Sequence, residues 1–158
     1  MQQISQLIRV VVVYRPGHMG TDRIFIEEFG FLIENLLQKS GKLLICGDFN
    51  YWVDDPPFKP YSSEFLELID LNNLHNLVKS PTHISGHILD LIITSIDSDL
   101  VNHIEVVPVD SSISDHALLV FTINFLRPST YTKTITMRNY RNIDEEAISR
   151  HSTFHECC

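Results

Sequence analysis

Residues 42–50 read KLLICGDFN. The run Leu43–Cys46 is unbroken in its apolarity and too short for a helix. It is bounded by Gly47 and fits a strand covered on both faces, as in the middle of an α/β sheet. Asp48 follows directly, and Asn50 stands two residues on, so in an extended segment their side chains share a side. One reading is an Asx turn closing the strand. The other is a carboxylate that binds metal or water, beside an amide that orients a phosphate oxygen. Spacing alone leaves both open.

Upstream, LIRVVVVY (residues 7–14) has the same continuous pattern and reads as another strand buried on both faces, ended by Pro16-Gly17. From Asp22 to Lys39, Phe25, Phe29, Leu32 and Leu36 recur at helical spacing. Thr21 or Asp22 can cap this helix, and Gly41 follows it. Downstream, residues 51–60 read as a loop, and Ser62 or Ser63 as the cap of a short helix with Phe65, Leu66 and Ile69. Strands are expected at Leu74–Val78, Ile88–Thr94, His103–Val109 and Ala117–Phe125.

Asp90 interrupts the apolar run ILDLIIT and needs a partner there, for which a histidine is suitable. A hydrogen-bonded Asp with a purely structural role is the alternative. Asp115-His116 stands before the last apolar strand. Strand neighbours face opposite ways, so one can meet a metal and the other a substrate; a solvated strand cap is the plainer reading. Tyr14 ends the first strand, either presenting its phenol to a phosphate or packing as an aromatic. His151, His155, Cys157 and Cys158 have no zinc-site spacing.

Length and composition bound the rest. The chain has 158 residues, 44% hydrophobic and 20% charged, which fits one globular domain and not a disordered chain. A net charge of −8 excludes a simple basic nucleic-acid coat, but not a nuclease whose carboxylates hold cations. Residues 1–126 carry net −9 and residues 127–158 net +1, so a boundary is expected at Arg127, with a polar, linker-like tail behind it. Tyr131–Met137 and the segment opening at Asp144 are the tail's candidate strand and helix. No stretch has the length and apolarity of a membrane span. Three cysteines, two of them terminal, make no disulfide framework, so an intracellular setting, nuclear or cytoplasmic, is expected.

In order, VVVVYRPG, LLICGDFNYW, PTHISGHILDLIITS and SISDHALLVFTI resemble the C-terminal half of the endonuclease/exonuclease/phosphatase (DNase I-like) family. They look most like the apurinic-endonuclease-like nucleases of non-LTR retrotransposons, over about residues 7–126. The resemblance implies an α/β (α+β) fold, a partial four-layer α/β-sandwich. One mixed sheet would carry helices on one face, with the second sheet largely missing. It implies a Mg²⁺- or Mn²⁺-dependent DNA endonuclease, a hydrolase found beside reverse transcriptase. Tyr14 would contact the scissile phosphate and Asp48 position the attacking water, with Asn50 as its partner amide. Asp90 would pair with the catalytic His116. Asp48, Asn50 and Asp115 would serve the metal.

The family's first-strand Asn and metal-binding Glu lie upstream of the YRP strand, and no Glu precedes Tyr14 in this sequence. Weak metal binding, little or no activity of the chain alone, and self-association through an exposed apolar sheet face are therefore the expectations. A non-catalytic retrotransposon-derived fragment or binding module is the rival reading. A lipid or nucleotide phosphatase is a third, disfavoured by the YRP and PTH…LDLIIT segments.

Overall fold

The computed structural model describes residues 7–17, 22–55, 61–108 and 111–125. Residues 127–158, with the candidate strand and helix of the tail and its histidines and cysteines, lie outside the described residues. The elements are β1 (Ile8–Tyr14), α1 (Asp22–Leu37), β2 (Lys42–Asp48), α2 (Ser62–Leu71), β3 (Leu74–Asn76), β4 (Asp90–Ser95), β5 (Val101–Val107) and β6 (Leu118–Ile123). Four strands form a mixed sheet in the order β1-β2-β4-β3, with β1 parallel to β2 and the other pairs antiparallel. β5 and β6 form a separate antiparallel pair. This is the partial DNase I-like α/β fold that the motifs implied, with the short β5–β6 pair as the second sheet.

Strand parity assigns the faces. Leu43, Ile45, Leu91 and Ile93 point one way, into a cluster with Phe29 and Ile33 of α1 and Phe65 and Ile69 of α2. Phe49 and Tyr51, just past β2, complete it: the Phe65 ring meets Phe49 tilted at 5.2 Å and Tyr51 stacked at 4.8 Å. Leu44, Ile92 and Thr94 point the opposite way and are just as buried. Their cover comes from the inward residues of the second sheet, Ile104, Val106, Leu119 and Phe121, which pack on the same core.

β1 departs from its expected burial on both faces. It is an edge strand: Val11 and Val13 pack on the core, while Val10 and Val12 are 54% and 76% exposed. The second sheet covers β2 and β4 on that side and leaves β1 open. The apolar patch expected on the second face is thereby reduced to β1 and the outer side of β6, where Leu118 and Val120 are exposed. The capping of α2 also differs. Ser62 is fully buried and its hydroxyl accepts the Trp52 N–H at 3.2 Å, while left-handed Tyr61 starts the helix without a side-chain cap.

Arg9 fastens the end of α1. Its guanidinium donates to the carbonyls of Leu36 at 3.0 Å and Lys39 at 2.6 Å, and also to Ser40, satisfying acceptors that a helix C-terminus leaves free. No described helix is long and apolar enough to cross a membrane.

Candidate functional site

Three strand ends meet in register. Tyr14 closes β1 opposite Asp48 of β2, and Asp48 stands opposite Asp90 of β4. Cross-strand partners share a face, so the two carboxylates are neighbours on the side that the second sheet partly covers. Gly47 permits this close approach. Its φ is +138°, and a Cβ there would lie 1.9 Å from the Val13 carbonyl oxygen.

The turn after Asp48 is the Asx turn that the spacing allowed. The Asn50 N–H donates to Asp48 Oδ1 at 3.0 Å, closing an Asx turn. The Asn50 side-chain amide donates to Asp48 Oδ2 at 2.9 Å and to the Arg15 carbonyl at 2.7 Å. Both amide hydrogens are thus engaged inside the protein. Asn50 orients the Asp48 carboxylate, and it has no hydrogen left to offer a phosphate in this arrangement.

Arg15, a residue of the YRPG run given no role from the sequence, holds the same turn. It is 5% exposed; its Nε donates to the Phe49 carbonyl at 2.8 Å, and its guanidinium lies 3.9 Å over the Tyr51 ring. Its charge is balanced by Asp22 at 3.0 Å.

Asp90 opens β4 instead of interrupting it. Its partner is His116, whose Nδ1 donates to Asp90 Oδ2 at 2.8 Å. His116 lies just before β6, so the site is built from two sheets and not from the end of one. Ligand atoms of Asp48, Asp90 and His116 all lie within 4.8 Å of one another. Asp115 belongs to a different grouping, with His83 and His116; its carboxylate is 3.4 Å from His83 Nε2. The His83 and His116 rings meet edge to face at 4.8 Å. Tyr14 stands at the same strand end with its side chain 74% exposed.

Electrostatics follow from this crowding. Burial, and then the charge of Asp90, push the Asp48 carboxyl above the usual carboxylate range, against the lowering effect of Asn50 and His116. For His116, burial alone favours the neutral ring. The Asp90 hydrogen bond and the charges of Asp90, Asp48 and Asp115 outweigh it, so its pKa lies above the ordinary value.

The donor set fits a hard divalent cation. Two adjacent carboxylates share one imidazole as their positive neighbour, and carboxylate oxygens are the ligands such ions prefer. Asp48 and Asp90 would hold it.

The sequence reading passed over Thr82 and His83, although both lie in the PTH run it quoted. The signal for Thr82 is a hydroxyl residue just upstream of an apolar run that begins with backbone donors to satisfy. For His83 the signal lies in space: besides Ser85 two residues on, the site residues it meets, Asp115 and His116, are 32 and 33 residues away in sequence.

Among curated proteins, none matches the chain. Residues 8–120 match the endonuclease-reverse transcriptase family, a stretch that includes all of the residues above and well over half of the chain. Together with the partial DNase I-like fold, that match places the chain in the endonuclease-reverse transcriptase family of endonuclease/exonuclease/phosphatase domains, as a retrotransposon-like endonuclease region.

Proposed function

We propose that this chain carries the C-terminal part of a metal-dependent phosphodiesterase site that nicks DNA, with Mg²⁺ or Mn²⁺ as its cation. The observation that supports this most is the 2.8 Å Asp90–His116 hydrogen bond standing beside Asp48. With Nδ1–H donating to Asp90, the protonated ring, which the neighbouring carboxylates favour, would donate Nε2–H to a phosphate oxygen, and Asp90 fixes its orientation. Asp48, its carboxylate oriented by Asn50, would hold an attacking water and take its proton. The exposed Tyr14 phenol can donate to the same phosphate. Asp115 would add charge at the far side of His116 or complete the metal's shell. A bound divalent cation would supply Lewis-acid stabilisation of the charge that develops on the phosphate.

With Asp48 and Asp90 as the adjacent carboxylates among the described residues, the cation would be held weakly, and the chain acting alone is expected to nick supercoiled plasmid slowly or not at all. The second reading is a binding module without catalysis. It is favoured by the exposed Val10 and Val12, which suit self-association. Two measurements separate the readings. In millimolar Mn²⁺ the unfolding temperature should rise, and the rise should vanish in Asp48→Asn. Any plasmid nicking should vanish in His116→Ala. A stabilisation by Mn²⁺ that is identical in Asp48→Asn removes the basis for the nuclease reading.

A further inference from the structure

Asp90 and His116 come from different sheets, so something must fix the distance between them. β3 runs beside β4 only as far as Asn76 opposite Ile93, which leaves the first residues of β4 without a strand on that edge. The Leu77 N–H still reaches the Ile92 carbonyl at 2.8 Å, and side chains supply the acceptors beyond it. Asn76 Oδ1 accepts the Ile92 N–H at 3.3 Å, and one residue pair further along, Thr82 Oγ1 accepts the N–H groups of both Asp90 and Leu89 at 3.0 Å. Thr82 is fully buried. Its backbone faces the other sheet: its carbonyl accepts the Ala117 N–H at 2.7 Å, and the next residue, His83, forms a β-bridge with His116. The Ile84 N–H donates to the Asp115 carbonyl at 2.8 Å. Residues 82–84, entering a turn that His87 closes onto Thr82 and His83, thus bridge the start of β4 and the segment leading into β6.

We propose that Thr82 is a positioning residue for the Asp90–His116 pair, its hydroxyl fixing the Asp90 backbone while its carbonyl and the His83 bridge fix the segment that carries His116. The functional weight of this role rests on the reading of that pair given above; the positioning itself does not. A valine at this position has the same shape but leaves two buried N–H groups unpaired, so the start of β4 must shift or open to water. A serine keeps the oxygen.

The test is proton NMR of the full chain, without metal, in Thr82→Val and Thr82→Ser. The parent should show a downfield, exchange-protected His116 Nδ1–H resonance, with protected amides at Leu89 and Asp90. In Thr82→Val the imidazole resonance should be lost or broadened and both amides should exchange faster. In Thr82→Ser all three should be retained. As a control, Ile69→Val lowers stability in the core remote from this bridge and should leave the His116 resonance in place. An unchanged His116 resonance in Thr82→Val overturns the proposal. Should Thr82→Val not fold, Thr82→Ser decides: a folded serine variant that has lost the resonance overturns it equally, and one that keeps it supports it. Plasmid nicking judges the nuclease reading separately. A chain that obeys these expectations and nicks nothing upholds Thr82 and defeats the enzyme.

Discussion

β1 and β2 are written in nearly the same language, VVVV and LLIC, and they lie side by side in parallel register. Yet Leu43, Leu44 and Ile45 of β2 are all at most 3% exposed, whereas Val10 and Val12 of β1 stand in the open. The difference is not in the strands but in what lies over them. On the helix side, Val11 and Val13 of β1 pack on the same core as Leu43 and Ile45 of β2; on the other side Leu44 is buried while Val10 and Val12 are not. Continuous apolarity reports that both faces of a strand require cover. It does not report whether the described part of the chain supplies that cover.

The comparison can be broken most severely where the two strands touch. Gly47→Ala puts a Cβ 1.9 Å from the Val13 carbonyl oxygen and forces alanine to a φ of +138°. The strands must part, so the variant should lose about 4 kcal/mol or more and fail to fold cooperatively, as denaturant unfolding would read. A stable Gly47→Ala chain would mean that β1 and β2 do not pair in this register.

Next in size is the contrast itself. Ile45→Ala should cost about 2–5 kcal/mol by urea unfolding, the range for a fully buried aliphatic side chain. Val12→Ala, on the same sheet but 76% exposed, should stay within about 0.5 kcal/mol. Comparable losses at the two positions would show that β1 is covered in solution, by a second copy or another segment.

Smaller effects come from the site end of β2, and pH gives their sign. The folded Asp48 carboxyl has a raised pKa, so it favours the fold fully only below the ordinary value of 3.8, and that contribution is lost as pH rises through the folded value. At neutral pH the ionised group is therefore a net cost in the absence of metal. Asp48→Asn should unfold at a higher temperature than the parent at pH 7, with the gap closing towards pH 3. His116 is also raised. Its contribution is complete below 6.5 and lost as pH rises through its folded value, so the parent should lose stability on the alkaline side of 6.5. His116→Gln should abolish that alkaline loss. An Asp48→Asn variant less stable than the parent at neutral pH would mean that its hydrogen bonds outweigh its burial.

The smallest effect sharpens the other side of the comparison. Val12→Lys should leave the unfolding temperature almost unchanged while reducing any self-association seen by sedimentation, since it charges the open face of β1. Equal association in the parent and Val12→Lys would move the contact to another surface, such as the outer side of β6.

The legibility of the site follows the same division. Asp48 and Asn50 were readable because their relation is local: two residues apart, after an apolar strand, they form the turn that spacing allows. That Asp90 wanted a histidine was also readable, because a carboxylate within an apolar run implies a partner. Which histidine it took was open to eight, and the motif resemblance, not the spacing, singled out His116. The grouping of Asp115 with His83, and the engagement of both Asn50 amide hydrogens, had no trace in the order of residues.

By itself, the sequence determined most of the local elements and their chemistry: helices by period, the strands β1, β2, β4 and β6 by apolar runs, the Asp48 turn by its residue types, and the family by four ordered motifs. These depend on interactions between residues close along the chain. The tertiary structure alone decided that β1 is an edge while β2 is central, that the site joins two sheets, and that Thr82 stands between Asp90 and the segment bearing His116. Each of these is a pairing across tens of residues. Such pairings are settled by which buried backbone donors remain unsatisfied and which apolar faces remain open once the local elements have formed.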